Sequence, residues 1–173
     1  MLVVAATDRE LAHVRGFETF VCGVGPVDAA ARTARMLVER QPDAVLHVGI
    51  AGSRELAPLT VVLGSESVYS DLSAAIPVED RLEPDAALFD RIRAALPDAV
   101  SATIGTSAAV GAVAREVEAM EGFGVLRACA LAGVPAVELR VVSNAPDEPD
   151  RAKWRFEEAF ELLGATLDRL DVL

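Results

Sequence analysis

The sequence predicts an α/β fold: a three-layer αβα arrangement around a mostly parallel, mixed central sheet. Two features carry that expectation. Short β-branched runs alternate with alanine-rich stretches of helical period along the whole chain, and strands separated by helices of that length pair in parallel and are covered on both faces. No long linker, low-complexity tract or internal repeat interrupts the 173 residues, so positions 1–173 are read as a single domain, a length one core can serve. With 52% hydrophobic and 25% charged residues, the chain has the material for such a core.

In chain order, Leu2–Ala6 is a short apolar strand, and Thr7-Asp8-Arg9-Glu10 can open a helix. Thr19–Val24 is a second strand, ending at Gly23-Val24-Gly25-Pro26, where the glycines permit a tight turn and Pro26 suits a first helical turn. Val27, Ala30, Ala31, Ala34, Leu37 and Val38 then recur with helical period until Pro42. Asp43–Val48 is a buried strand running into Gly49-Ile50-Ala51-Gly52, which reads as a tight turn. Val61–Val68 is a strand, or a pair of strands interrupted at Gly64, and Asp71–Pro84 reads as loop.

A helix carrying Leu88, Ile92 and Leu96 begins at Pro84-Asp85, and Val100–Ile104 is a strand. Glu116–Ala132 reads as a helix weakened at Gly122 and Gly124. Val134–Val142 is a strand leading to Ser143-Asn144, and Ala145–Pro149 is turn-rich. The last helix is expected from Asp150, with Phe156, Phe160, Leu163, Leu167 and Leu170 on one apolar stripe.

Composition excludes several functions. Sixteen basic residues against 27 acidic ones give a net charge of −11, which argues against a nucleic-acid or anionic-membrane surface. No apolar run reaches the roughly 18 to 20 residues that span a bilayer. The start MLVVAATDRELAHV lacks a basic region and turns charged by its eighth residue, so it is not read as a signal peptide, and a cytoplasmic location is expected. Cys22 and Cys129 are then expected to be reduced core residues, although their pairing is not excluded by sequence. With only His13 and His47, and no CxxC or HExxH spacing, neither a zinc site nor a Ser-His-Asp triad is expected. Chemistry falls to carboxylates, amides, hydroxyls and backbone groups.

In open α/β sheets ligands bind beyond the carboxyl ends of strands. That rule selects Glu10, Gly25, Gly49–Gly52, Tyr69–Asp71, Thr106-Ser107 and Asn144. Each also has a plain reading. Glu10 could be a solvated residue of a first helical turn, and Asn144 a turn residue before Ala145-Pro146. Met120 could be core, and the glycines could serve ordinary turns.

Five segments, VVAATDRELAHV, VCGVGPVDAAARTARML, VLHVGIAGS, VEAMEGFGV and VPAVELRVVSNAPDEPDRAKWRFEEA, span most of the chain. In that order they resemble the nucleoside phosphorylase and nucleosidase superfamily, especially its hydrolytic branch of methylthioadenosine/S-adenosylhomocysteine nucleosidases and futalosine hydrolases. Two details are similar to the futalosine group. Gly49–Gly52 reads GIAG where adenosine-type enzymes read GSAG, and Ser143-Asn144 stands where they have Ser-Asp. The run Pro149–Trp154 also resembles that group.

The resemblance implies a nucleoside phosphorylase-type fold and hydrolysis of a purine N-glycosidic bond, with a small nucleoside as the partner. It implies no metal, no organic cofactor, and at least a homodimer. Glu10 would activate water, and Glu121 would accept the two ribose hydroxyls, with Met120 packed on the sugar. Ala51 and Gly52 would approach the ligand, and Glu118 is the nearby family glutamate, although Ala119 separates it from Met120.

Asn144 would face the base. Its NH2 can bridge the O6 and N7 acceptors of a 6-oxopurine, whereas an aspartic acid suits adenine. Arg54 and Arg140 are the remaining arginine candidates, and Arg140 is expected to pair with a buried acid. An adenosine-type nucleosidase, a phosphorylase and a non-catalytic nucleoside binder are the competing expectations. The last is raised by a segment between Thr106 and Glu118 that is shorter than in relatives.

Overall fold

A computed structural model describes residues 1–111 and 115–170. Its strands are β1 (Leu2–Ala5), β2 (Glu18–Val21), β3 (Val45–Gly52), β4 (Val61–Tyr69), β5 (Arg81–Leu82), β6 (Val100–Thr106), β7 (Val117–Ala119) and β8 (Ala136–Asn144). Its helices are α1 (Asp8–Leu11), α2 (Pro26–Arg40), α3 (Ala86–Ala95), α4 (Gly122–Ala132) and α5 (Phe156–Asp168). Among the described residues the strands form one sheet in the order β2-β1-β3-β7-β6-β4-β5, and β8 joins β3 to β4. The pairs β1–β2, β1–β3, β3–β8, β4–β6 and β6–β7 are parallel, and β3–β7, β4–β5 and β4–β8 are antiparallel. The path β3-β7-β6-β4-β8 returns to β3, so part of the sheet closes into a ring.

Three apolar clusters hold the layers together. On one face, Leu88, Ile92 and Leu96 near α3 and Leu163, Leu167 and Leu170 near α5 pack against Val3, Leu46 and Leu139. On the other, Ala29 and Met36 of α2 and Val125 and Cys129 of α4 pack against Leu2, Val4 and Val45. Ala51, Val62, Ile104, Val117 and Val142 make the third cluster, from strands of the ring. Each large side chain buried this way contributes about 1.5–3 kcal/mol before chain entropy is counted. Cys22 and Cys129 are both free and buried. Burial pushes both thiols up to about 12, so they are un-ionised at neutral pH.

Several boundaries differ from the sequence expectation. Glu116–Ala132 is not one helix: Val117–Ala119 pairs with β6 and meets Gly52, and the helix starts only at Gly122. Sheet pairing here overrides the helix preference of Glu, Ala and Met. Gly49–Gly52 is not a turn but the end of β3, paired with β8 through Asn144 and shifted in register at Ala51/Gly52. Val61–Tyr69 is one strand despite Gly64, and β5 lies within the stretch read as loop. The second strand ends at Val21, although the Cys22 N–H still bonds Ala5 C=O. Asp150 caps a single 3-10 turn, and α5 begins at Phe156. Between them the Arg155 N–H is taken by Ser143 C=O, which ties the chain to the end of β8. No helix among the described residues is long and apolar enough to cross a membrane.

Candidate active site

The carboxyl ends of β1, β3 and β8 open into a cavity of about 300 Å³. Glu10, Ala51, Gly52, Glu118, Met120, Glu121 and Asn144 all line it, so the residues to which the resemblance assigns a role meet in one hollow, while Gly25, Gly49, Tyr69–Asp71 and Thr106-Ser107 lie outside its wall.

Glu10 reaches this place through a capping box. Thr7 caps α1, and the Glu10 carboxylate folds back to accept from Thr7 N–H and Thr7 Oγ1, both at 3.0 Å to Oε2. Its Oε1 accepts from the Ile50 N–H of β3 at 3.1 Å. Glu10 is therefore both a first-turn residue and a buried one, and not a solvated one. An oxygen with two lone pairs and one donor can still accept from a ligand or a water. Gly49 makes the approach possible: a Cβ there would collide with both Glu10 Oε1 and Arg140 Nη1.

Glu121 sits at the start of α4, buried, with Oε1 accepting from the Gly25 N–H at 3.0 Å and Oε2 3.7 Å from Arg140 Nη2. Gly25 therefore serves the protein's own carboxylate. Burial raises the Glu121 pKa, and the Arg140 charge and the Gly25 N–H offset part of that rise. Glu118 takes the Gly111 N–H at 2.7 Å and so anchors the loop carrying Ala109 and Val110, which also line the cavity. The shortened segment expected between Thr106 and Glu118 includes residues 112–114, which lie outside the described residues.

At the end of β8, Ser143 Oγ donates to Asn144 Oδ1 at 2.7 Å. That bond takes one lone pair of the carbonyl oxygen and orients the amide, and the NH2 is the donor it brings to the cavity it lines. Behind these groups lies Arg140, with no solvent exposure. Its Nε donates to Glu138 Oε1 at 2.8 Å, which bears out the expected pairing with a buried acid. Burial opposes the charge on Arg140, but Glu138, Glu121 and Glu10 outweigh it and hold the pKa above its usual value. Arg54, by contrast, lies on the loop side, with Nη2 on Gly111 C=O at 3.2 Å and Nε 4.0 Å from Asp147. Asp71 accepts from the Ala108 N–H, Tyr69 stacks on Phe123, and the Phe123 N–H bonds Thr106 Oγ1. Those strand-end residues support the loop and α4, and they are not in the cavity wall.

Sequence reading placed Phe156 and Phe160 on the core stripe and did not select Arg9 or Trp154. All four line the cavity, with Trp154 edge-on to Phe156 and Arg9 over the Phe160 ring. The period of the stripe identifies the helix, but not that its first turn lies beyond the sheet. Three carboxylates around a partly apolar hollow favour a ligand that gains positive charge, and the amide favours one that presents acceptors.

Residues 19–170 match the family model described as the phosphorylase superfamily. Futalosine hydrolase of Streptomyces coelicolor is 36% identical over 90% of this chain and 78% of that protein. That of Thermus thermophilus is 30% identical over 90% and 81%. The fold matches a futalosine hydrolase mutant of Helicobacter pylori with a TM-score of 0.88, at 18% identity over 99% of this chain and 98% of that one. It also matches a 5′-methylthioadenosine/S-adenosylhomocysteine nucleosidase from S. pneumoniae solved with a transition-state inhibitor, with a TM-score of 0.85 at 18% identity over 98% and 97%. Family match, relatives and fold agree, and the chain belongs to the phosphorylase superfamily.

Proposed function

We propose that this protein hydrolyses the N-glycosidic bond of futalosine, releasing hypoxanthine and dehypoxanthine futalosine. The observation that carries the reading is the shared hollow: Glu10, Glu121 and the Asn144 amide face one space, in a chain whose relatives are futalosine hydrolases.

Water held at the open lone pair of Glu10 Oε1 attacks ribose C1′ and gives a proton to the carboxylate. The C1′–N bond breaks with its electron pair going to the base. Glu121 accepts the ribose hydroxyls, and the carboxylates favour the oxocarbenium-like sugar. The Asn144 NH2 donates to the base acceptors and stabilises charge on the leaving hypoxanthine. It holds no titratable proton, so the base is protonated from solvent. Met120, Ala51 and Gly52 form the wall against ribose, and Glu118 holds the loop beside it. No step calls on a metal or an organic cofactor.

The reading extends to menaquinone biosynthesis as the setting, to the cytoplasm, and to one chain forming one domain. It also extends to a homodimer or larger assembly. Val24 lines the cavity yet is 56% exposed, and Val27 beside it is 74% exposed, an apolar rim that a second subunit would cover.

The test incubates purified protein with futalosine, inosine and methylthioadenosine, with and without phosphate, and measures the free base. Hypoxanthine from futalosine without phosphate supports the reading. Adenine release from methylthioadenosine supports an adenosine-type nucleosidase, phosphate dependence a phosphorylase, and tight binding without release a non-catalytic binder. Light scattering reads the assembly.

A further inference from the structure

Behind the cavity wall lies a buried cluster that the reaction above does not use. His47 on β3 pairs in register with Glu138 on β8, and Gly49 with Arg140, so the side chains of these alternate positions share one face of the sheet. His47, Glu138 and Arg140 are at most 1% exposed. His47 Nδ1 lies 3.0 Å from Val4 C=O, and Nε2 lies 2.5 Å from Arg140 Nη2. A guanidinium only donates, so Nε2 must carry no proton, and the ring is neutral with its hydrogen on Nδ1, donated to Val4.

Every edge of Arg140 is then assigned. Nε goes to Glu138, Nη2 to His47 and Glu121, and Nη1 to Ile50 C=O at 3.5 Å, on the side where Gly49 leaves room for Glu10. Glu138 spends a buried charge on this, and its Oε2 has no hydrogen-bond partner among the described residues. That carboxylate fits only because residue 122 is glycine, since a Cβ there would collide with both of its oxygens. Burying ionised groups is seldom the most stable way to fill a core, and an unpartnered buried oxygen calls for an explanation.

We propose that His47 and Glu138 are positioning residues that clamp the Arg140 guanidinium from two sides, so that Nη1 stands fixed beside Glu10 and Nη2 beside Glu121. The clamp acts on the reacting end of the cavity and not on the base. Glu121 also has a shorter bond, from the Gly25 N–H at 3.0 Å to its other oxygen, that does not pass through Arg140. The inference rests on the hydrolytic reading for its kinetic consequence only, because the clamp itself can be read without substrate.

The spectroscopic arm uses the protein labelled with 15N-histidine, which gives only two imidazoles, His13 and His47. His47 is expected to remain the neutral Nδ1–H form from pH 8 to pH 5.5, held by Val4 C=O, with its Nε2 resonance shifting in Arg140→Met as the donor to that nitrogen is lost. An Nε2–H tautomer, or a signal unaffected by Arg140→Met, overturns the clamp whatever the substrate proves to be.

The kinetic arm compares His47→Phe and Glu138→Leu, which remove the acceptors, with His47→Gln and Glu138→Gln, which supply one. The first pair is expected to lower kcat at least tenfold with KM changed less than threefold, and the second pair to recover most of the loss. Folded His47→Phe and Glu138→Leu proteins with the wild-type kcat, or losses that appear in KM alone, overturn the positioning role. If wild-type protein releases no base from any nucleoside, the proposed function fails, while the tautomer measurement still decides the clamp.

Discussion

Asn144→Asp is the substitution that most sharply separates substrates. In the wild-type protein Ser143 Oγ donates to Asn144 Oδ1 at 2.7 Å, which leaves the NH2 to meet acceptors on the base. An aspartate keeps the bond from Ser143 with one oxygen and turns the other toward the cavity. A 6-oxopurine then presents acceptors to an acceptor. Asn144 is 7% exposed, and an unmatched group at such a site costs about 1–3 kcal/mol, a factor of about 5 to 150 in kcat/KM. For an adenine nucleoside the same oxygen accepts from the exocyclic amine, and a hydrogen bond to a charged group contributes about 1.5–3 kcal/mol. The ratio of kcat/KM for futalosine over methylthioadenosine should therefore fall by at least about two orders of magnitude. Base release from both substrates, followed by chromatography on protein that circular dichroism shows to be folded, measures it. An unchanged substrate ranking in the folded variant would refute the role given to the amide.

Two other outcomes follow from close packing and buried charge. Gly49→Ala places a Cβ against both Glu10 and Arg140; overpacking of this kind costs about 1–3 kcal/mol, so Tm should drop by about 2–12 °C and kcat at least tenfold, measured by thermal melts and base release. Burial and the Arg140 charge push the His47 pKa well below 6.5. The unfolded chain therefore binds a proton below pH 6.5 that the native protein refuses, and stability is lost as pH falls, by up to about 1.4 kcal/mol per pH unit. Glu121, with its raised pKa, acts in the opposite sense, losing stability as pH rises above its unfolded value of 4.5. Denaturant melts of wild type and His47→Gln between pH 7.5 and 5.5 cancel the Glu121 contribution. The wild type should lose about 1 kcal/mol more than the variant across that range.

The parts of the fold and site that could be read in the sequence are those set by local pattern. Strand ends and turn residues point to Glu10, Gly49–Gly52 and Asn144, because a parallel sheet gathers its strand ends on one side. The apolar stripe from Phe156 to Leu170 identifies the last helix from spacing alone. What local pattern could not give depends on partners distant in the chain. Val117–Ala119 becomes a strand only because β6 and Gly52 are there to pair with it. The Glu138–Arg140–His47 cluster exists only in the register that sets His47 opposite Glu138. His47 and Glu138 both lie inside segments that carry the resemblance, but no role attaches to them there, and a lone buried histidine gives no sign of its partner. Thr7 was legible in part: Thr-Asp-Arg-Glu has the capping-box spacing, but only the fold shows that the box aims Glu10 at Ile50.

The most direct test of the account is the single-turnover hydrolysis of futalosine by Glu10→Gln, with binding titrated in the same preparation. Glutamine serves in a capping box as glutamate does, so α1 is kept, but its amide cannot take a proton from water. The predicted result is a Kd within about fivefold of wild type and a hydrolysis rate lower by about 10²–10⁴. Hydrolysis within tenfold of wild type, at equal occupancy, would show that this carboxylate does not activate the water.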